Sequence, residues 1–263
     1  MSNLRYLFNS VLDFAKSYGL PTEKKRGILR EYYQVRLLQK IYAQELSKNL
    51  SFIGGTALRF LRGINRFSED LDFDTLNGIT NRQIKEVVTC VEQEFEQEDE
   101  SVDVKVAEKG DKFCFEFMFP NILFDLGLTE QKREVLMIKL DYFRNWKNQQ
   151  TETVLMNEYG FLSTVVTNGI NQLLVQKLTA YVCRSLTQTR DIYDVVWLFA
   201  QGARLDKDFM HANNLDDLLP RAKEKLSKEG IARGWGDKLR PFLFNSADVQ
   251  KLDMFGEILN RLG

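Results

Sequence analysis

One short stretch constrains the fold of this chain more than any other part. It begins with the mostly apolar run Leu-Ser-Phe-Ile at residues 50–53, continues through Gly54-Gly55-Thr56, and ends in Asp-Leu-Asp-Phe-Asp at residues 70–74. Because acids and apolar residues alternate in the last part, it predicts a strand with one buried face and one carboxylate face. The paired glycines predict a turn whose backbone can approach another group closely. The stretch therefore predicts a strand, a turn, a helix and a second strand.

The acids on this strand suggest a site for a divalent cation. Residues i and i+2 share a face of a strand, so the carboxylates of Asp70 and Asp72 can converge on one ion. Magnesium prefers such oxygen ligands, and manganese is the alternative. Carboxylates at a strand edge also protect against aggregation, which is the simpler explanation. The backbone amides at residues 54–56 favour the first interpretation, because the start of a helix attracts phosphate.

The string GGTALRFLRGINRFSEDLDF at residues 54–73 resembles the AbiEii/AbiGii toxin family. This family belongs to the DNA polymerase β-like nucleotidyltransferase superfamily and comprises toxins of bacterial toxin–antitoxin pairs. The resemblance implies an α/β (α+β) core with a small mixed sheet, an NTP substrate, magnesium, and a separately encoded antitoxin as partner. It also implies nucleotide contacts from Gly54, Gly55, Thr56, Arg66 and Ser68. Arg66 and Ser68 could instead hold their loop in place.

A further predicted strand carries a single acid. Residues 135–143, Val-Leu-Met-Ile-Lys-Leu-Asp-Tyr-Phe, have the β-branched and aromatic content of a buried strand. A carboxylate among apolar neighbours is costly unless it is paired or bound to metal. The resemblance implies that Asp141 completes the metal site with Asp70 and Asp72 and accepts the proton of the attacking hydroxyl. An aspartate bonded to a turn at the strand end remains the alternative.

A predicted helix pair carries the remaining candidates. Lys177 lies within an apolar stripe, so its ammonium group must reach water or meet an anion. Residues 189–194, Thr-Arg-Asp-Ile-Tyr-Asp, follow, and Thr189 is expected to cap the second helix. The resemblance implies that Lys177 contacts the triphosphate and that Asp191 is catalytic or orients the lysine. The helix dipole also explains Asp191, and Asp194 is expected to pair with Arg190 or Lys177.

The chain has no strong bulk charge with which to attract RNA. Its formal net charge is −1, so RNA affinity needs a local basic patch. The best candidate lies between residues 204 and 240, where Trp235 and Phe242 nearby could stack on bases. Alternating charges on a helix are more usually a solvated face. The basic residues of this region are Arg221, Lys223, Lys225, Lys228, Arg233, Lys238 and Arg240.

Composition indicates an ordinary globular enzyme in a reducing compartment. Hydrophobic residues make up 44% and charged residues 28% of the chain. The 3 cysteines are widely spaced, which argues against a zinc site or a disulfide scaffold. No stretch has the length of a membrane helix, and the first residues lack the apolar core of a signal peptide. We therefore expect a cytoplasmic protein without membrane contact.

Hydrophobic periodicity predicts two domains. Two helices, the second capped by Thr22 and ending near Leu46, precede strand 50–53, and Thr80 opens a further helix. Strands are predicted near 102–107, 113–119 and 135–143, and the pattern is helical from about Phe161 to the end. We assign residues 1–160 to the N-terminal helices and nucleotidyltransferase core, and residues 161–263 to a helical C-terminal lobe.

Three functional hypotheses follow from these observations. The resemblance favours transfer of NMP from an NTP to an RNA acceptor, with the 3′ end of tRNA as the leading candidate. A second hypothesis is transfer to a protein hydroxyl or a small molecule. A third is a non-catalytic nucleotide-binding module. The retained acids at residues 70–74 and Lys177 favour an enzyme, since a binding module has no need of every metal carboxylate.

Overall fold

The structure is a computed structural model that describes residues 2–109, 112–143, 146–231 and 234–263. The chain divides into two compact units. The first comprises Met1–Gly63, Phe67–Arg144 and Thr153–Thr167, and the second comprises Ile64–Arg66, Asn145–Glu152 and Asn168–Gly263. The predicted domain boundary at residues 160 and 161 stays a prediction. No helix in the described part of the chain is long and apolar enough to cross a membrane.

The first unit is built on a five-stranded mixed sheet. Its strands follow the order β1-β2-β5-β4-β3, in which β2 and β5 are parallel and the other neighbours are antiparallel. The small mixed sheet predicted from the sequence is thus confirmed. The strands are β1 (Leu50–Ile53), β2 (Leu71–Thr75), β3 (Asp103–Lys109), β4 (Lys112–Phe119) and β5 (Leu136–Phe143).

Helices and a hairpin complete this unit. Thr80 caps α4 as predicted, because its hydroxyl accepts from the backbone of Gln83 while the Gln83 side chain bonds back in a capping box. The helices are α1 (Ser2–Ser17), α2 (Lys25–Ala43), α3 (Gly54–Arg62), α4 (Asn81–Gln97) and α5 (Ile122–Asp125), with a 3-10 helix at Glu45–Asn49. The hairpin strands are β6 (Thr151–Glu158) and β7 (Phe161–Asn168), whose ends extend into the second unit.

Aromatic packing fixes the strand that carries the acids. Phe73 is fully buried on the apolar face of β2, and its ring stacks on Tyr142 of β5 with centroids 5.0 Å apart. Phe52 of β1 packs on the other side, at 5.4 Å. Because side chains alternate across a strand, this packing turns the neighbouring carboxylates to the opposite face. The predicted division of β2 into an apolar and an acidic face is therefore present.

The second unit is helical within the ranges described. Its helices are α6 (Ile170–Cys183), α7 (Thr189–Ala200), α8 (Lys207–Ala212), α9 (Leu218–Glu229), α10 (Trp235–Leu239) and α11 (Phe255–Arg261), with a 3-10 helix at Ser246–Met254. Residues Ile64–Arg66 also belong to this unit. Arg66 forms an antiparallel bridge with Leu243, and the amide of Phe244 donates to the carbonyl of Asn65 at 3.2 Å.

Three local predictions were wrong. Lys24, not Thr22, is the N-cap residue of α2, which ends at Ala43, and Thr189 is the first helical residue of α7 and not its cap. Residues 161–168 form a strand where a helix was predicted. Their run of β-branched residues favours a strand, and Tyr159 and Gly160 have positive φ angles of 51° and 81° that suit a tight hairpin turn.

Candidate functional site

Two of the predicted metal carboxylates stand side by side on the sheet. Asp72 of β2 is the register partner of Asp141 of β5, and both side chains therefore lie on the same face of neighbouring strands. Asp141 is only 5% exposed, whereas Asp72 is partly exposed. Asp70 directly precedes β2 and lies outside the strand itself. The sheet thus brings together acids that lie far apart in the sequence.

Gly54 makes room for Asp72. A Cβ atom at position 54 would stand 2.2 Å from Oδ2 of Asp72, and the φ angle of Gly54 is 78°. Both observations favour glycine, because other residues rarely adopt this backbone conformation. The first glycine of the motif therefore allows the Asp72 carboxylate to lie against the start of α3.

The loop before β2 is held by side chains from two helices. The hydroxyl of Thr56 donates to the carbonyl oxygen of Asp70 at 2.5 Å. Gln34 is a fully buried residue of α2, and its side-chain Nε2 donates to the backbone carbonyls of Ser68 and Glu69 at 3.2 and 2.9 Å. The Thr56 side chain is buried, so any contact with a phosphate would come from its backbone amide. These bonds fix the position of Asp70, from which the chain enters β2.

Lys139 lies beside Asp141, although it was not among the residues predicted for the site. Its Nζ atom is 3.1 Å from Oδ2 of Asp141, and Lys139 lies two residues before Asp141 on the same face of β5. The alternation of β5 could have revealed it, because residues i and i+2 of a strand share a face. The acidic face of the sheet therefore carries a cation as well as carboxylates.

A buried ion pair anchors the helix that follows the glycines. Arg59 of α3 donates from Nε to Oε1 of Glu31 in α2 at 2.9 Å, and both residues are almost fully buried. The Tyr159 hydroxyl donates to Oε2 of Glu31 at 3.0 Å. Burial raises the pKa of the Glu31 carboxyl, and the charge and hydrogen bonds of Arg59 oppose that effect. This network ties α3 to α2, so it fixes the helix whose N-terminus carries Gly54.

The second unit contains a separate ionic cluster. The guanidinium of Arg66 donates to both carboxylate oxygens of Asp194, at 2.7 and 2.5 Å, and Lys177 of α6 approaches the same carboxylate at 2.8 Å. Arg66 and Asp194 are fully buried. Of the two partners proposed for Asp194, Lys177 is confirmed, whereas the guanidinium of Arg190 lies over the ring of Phe242. The contact of Arg66 supports the alternative in which it holds its loop in place.

The pKa of Asp194 reflects this cluster. Burial alone would raise the pKa, but the charges and hydrogen bonds of Arg66 and Lys177 hold it below the ordinary value. Asp191, one turn earlier on α7, has one carboxylate oxygen 3.0 Å from Arg184 and the other 3.8 Å from Lys177. Lys177 is thus oriented by two carboxylates, and its side chain remains 14% exposed.

The predicted basic region is largely paired within itself. Arg221 pairs with Asp217, Lys228 with Glu224 and Arg240 with Asp237. Lys225 donates to the backbone carbonyls of Tyr181 and Arg184 at 2.7 and 2.6 Å. Arg233 lies outside the described residues. A solvated face, the alternative to RNA contact, accounts for most of this region. Lys238 is exposed as well and is not among the ion pairs given above.

The carboxylates of the first unit offer the oxygen ligands that a magnesium ion prefers. Among the residues that the structure describes, no group of three or more His, Cys, Asp or Glu side chains is arranged to hold a metal ion. Magnesium is usually bound through one or two carboxylates together with the phosphates of its substrate. Asp72 and Asp141, adjacent in register, supply such a pair. A magnesium site with Asp70 as a further ligand stays a prediction.

The predicted residues therefore fall into two groups. The first unit holds Gly54, Gly55, Thr56, Ser68, Asp70, Asp72 and Asp141, and the second unit holds Arg66, Lys177 and Asp191. A glycine turn at the start of a helix, beside carboxylates on a mixed sheet, is what the resemblance to nucleotidyltransferases implies. Residues 36–260 match the family described as the nucleotidyl transferase AbiEii toxin of type IV toxin–antitoxin systems. The chain belongs to this family and is a nucleotidyltransferase.

Solved structures show the same fold. JHP933 from Helicobacter pylori is similar with a TM-score of 0.54 and 20% identity, covering 90% of this chain and 93% of that chain. A second H. pylori protein, described as a candidate nucleotidyltransferase, has a TM-score of 0.51 and 17% identity, covering 90% and 96% of the two chains. No curated protein sequence matches this chain. The fold class predicted from the sequence is confirmed.

Proposed function

We propose that this protein is a magnesium-dependent toxin that transfers NMP from an NTP to an RNA acceptor, with the 3′ end of tRNA as the leading candidate. Its partners would be the NTP, the RNA and a cognate antitoxin, and it would act in the cytoplasm. The observation that supports this proposal most directly is the register of Asp72 with Asp141 beside the Gly54 turn. Two neighbouring carboxylates support the proposal, because magnesium is usually bound through one or two carboxylates together with the phosphates of its substrate.

The first unit supplies the groups for binding and proton transfer. Asp70, Asp72 and Asp141 would hold the ion, and magnesium would supply Lewis-acid stabilisation of charge on the triphosphate. The amides of Gly55 and Thr56 lie in the first turn of α3, where backbone N–H groups have no acceptor within the helix and favour an anion. Asp141 would accept the proton of the attacking hydroxyl. The new bond joins the acceptor oxygen to the α-phosphorus, and pyrophosphate leaves.

The second unit would supply positive charge. Lys177 is the residue assigned to the triphosphate, and Asp191 and Asp194 orient its ammonium group through their carboxylates. Arg66 keeps Asp194 charged by its paired hydrogen bonds. Asp191 would thus act as a positioning residue for Lys177. Most of the catalytic effect would come from positioning and electrostatics, as in other phosphoryl transfers.

Transfer of radiolabel from each α-labelled NTP tests this proposal. The protein would be incubated with magnesium, total RNA and cell lysate, and RNA, protein and small molecules would then be resolved. Label on RNA supports the proposal, and sequencing of the labelled 3′ ends identifies tRNA. Label on protein or on a small molecule contradicts the RNA acceptor. Nucleotide binding without any transfer would support the non-catalytic module. Parallel reactions with manganese distinguish the two candidate ions.

Carboxylate variants test the metal assignment. We expect the double variant Asp70→Ala, Asp72→Ala to lose transfer while it retains its fold, because removal of neighbouring like charges relieves repulsion. Asp103→Ala is a matched control, since Asp103 is an exposed carboxylate on β3 of the same sheet. Transfer by the double variant at the control's rate would show that these carboxylates do not hold the ion.

A further inference from the structure

The second unit contains a pocket that the proposed catalytic groups do not occupy. Its volume is about 470 Å³, within the range of small-ligand sites. It is formed by the connection between α6 and α7, the first turn of α7, the end of α9, and the segment that includes α10. The lining includes Thr187, Arg190, Glu229, Trp235, Lys238 and Phe242.

Hydrogen bonds hold the walls of this pocket in place. The Thr187 hydroxyl donates to Oε2 of Glu229 at 2.6 Å, which ties the α6–α7 connection to the end of α9. Lys225 of α9 donates to the carbonyls of Tyr181 and Arg184 at the end of α6. The pocket is therefore built before any ligand arrives, and little ordering free energy is needed on binding.

The lining combines aromatic rings with positive charge. The guanidinium of Arg190 lies 4.2 Å from the centroid of the Phe242 ring, and Phe242 is partly exposed. Trp235 adds a second aromatic wall, and Lys238 is an exposed cation at the pocket. Among the described lining residues the acid is Glu229, which accepts from Thr187 and lies 3.7 Å from Lys225. A flat base and a phosphate match this combination.

We propose that this pocket binds one unstacked nucleotide of a single-stranded RNA. The inference rests on the proposed function, because it gives the RNA acceptor a binding subsite. The base would stack against the Arg190–Phe242 pair, and its phosphate would lie near Lys238. The chain carries a net charge of −1, so affinity for RNA must come from such a local site.

A free NTP offers the same chemistry as an RNA nucleotide. RNA is favoured because the residues predicted to contact the NTP, among them Gly55, Thr56 and Lys177, do not line the pocket. The first turn of α7 nevertheless connects the pocket with the residues predicted to bind the NTP, since Arg190 lines the pocket and Asp191 contacts Lys177. An RNA nucleotide held here would contact the same turn of α7 that carries Asp191, the partner of Lys177.

Binding of a fluorescently labelled single-stranded RNA, without NTP or divalent ions, tests the proposal by anisotropy. Lys238→Gln and Lys207→Gln are matched, because both remove one exposed lysine of the second unit, and Lys207 does not line the pocket. We expect only Lys238→Gln to lower the slope of log affinity against log salt, by about 0.7. Phe242→Leu keeps apolar volume but removes the ring, and we expect affinity to fall about 5- to 150-fold.

Several results would overturn the inference. One is an equal salt slope for the two lysine variants. Another is unchanged RNA affinity in Phe242→Leu, with its fold shown to be intact by circular dichroism. A third is the absence of RNA binding by the wild type. A rise in KM for NTP with unchanged RNA affinity would assign the pocket to the NTP instead. Pocket-dependent RNA binding without label transfer to RNA would uphold the pocket and refute the proposed acceptor. If label is transferred to RNA equally well by the wild type and by these variants, the RNA acceptor is upheld and the pocket is refuted as its binding site.

Discussion

Gly54 and Asp72 are in direct contact across the turn that joins β1 to α3. A Cβ at position 54 would stand 2.2 Å from Oδ2 of Asp72, so the carboxylate occupies space that only glycine leaves open. The backbone at Gly54 is also left-handed, with a φ angle of 78°. The glycine thus serves both the turn and the placement of a candidate metal ligand.

Replacement of Gly54 separates these two effects. Gly54→Ala should cost about 1–2 kcal/mol of stability from left-handed strain and should lower the transfer rate about 100-fold or more by displacing Asp72. Gly63→Ala is the control, because Gly63 has a φ angle of 79° and a Cβ added there would meet nothing within 4 Å. Urea unfolding and transfer rates should show similar stability losses and an activity loss in Gly54→Ala alone. Equal activities would contradict the role of the contact.

Arg66 and Lys177 should differ in what they contribute, although both pair with Asp194. Arg66→Met leaves a buried carboxylate without the two hydrogen bonds that Arg66 donates, so the free energy of unfolding should fall by about 3–5 kcal/mol. Lys177→Met preserves the Arg66–Asp194 pair and should cost about 1.5–3 kcal/mol. Under conditions where both variants are folded, Lys177→Met should have the larger loss of transfer. A larger loss in Arg66→Met would place Arg66 at the substrate.

The buried pair of Glu31 and Arg59 should behave as one unit. Each single change to Met should cost about 3–5 kcal/mol, because it leaves an uncompensated buried charge. The double variant should cost less than the sum by up to about 3 kcal/mol. Denaturant unfolding of the four proteins gives this coupling energy, and additive costs would contradict the interaction. Tyr159→Phe, which removes only one hydrogen bond, should cost about 1 kcal/mol.

Asp194 should contribute to acid unfolding. Its pKa in the folded protein lies below the ordinary value of 3.8, because Arg66 and Lys177 outweigh the effect of burial. As pH falls through the ordinary value, Asp194 of the unfolded chain binds a proton before Asp194 of the folded protein does. The stabilisation that the charged Asp194 gives the folded state is therefore fully present above the ordinary pKa, and it is lost as pH falls toward the folded pKa.

The matching measurement is the free energy of unfolding from about pH 5 to about pH 2.5, the interval in which such carboxylates titrate. Asp194→Asn cannot titrate, so its free energy of unfolding should fall less steeply with acidification than that of the wild type. The comparison of slopes is informative even though the variant is less stable at neutral pH. Identical slopes would show that Asp194 does not carry a lowered pKa.

The sequence by itself determined the parts of this protein that depend on local patterns. Alternation in residues 70–74 predicted the two faces of β2, Thr80 predicted the cap of α4, and the motif at residues 54–73 identified the family. The prediction failed at residues 161–168, where the spacing of apolar residues is compatible with a helix although the β-branched content favours a strand. Hairpin pairing, which a single segment does not encode, decided that case.

Only the tertiary structure decided which distant residues meet. The parallel pairing of β2 with β5 sets Asp72 beside Asp141, and the packing of α6 on α7 sets Lys177 against two aspartates. The sequence marked Arg66 as a candidate ligand of phosphate, whereas the folded chain buries it against Asp194. Lys139, Glu31 and Arg59 were not singled out at all. A charged residue acquires its role from the partner that folding places within a few ångströms, and sequence spacing does not specify that partner.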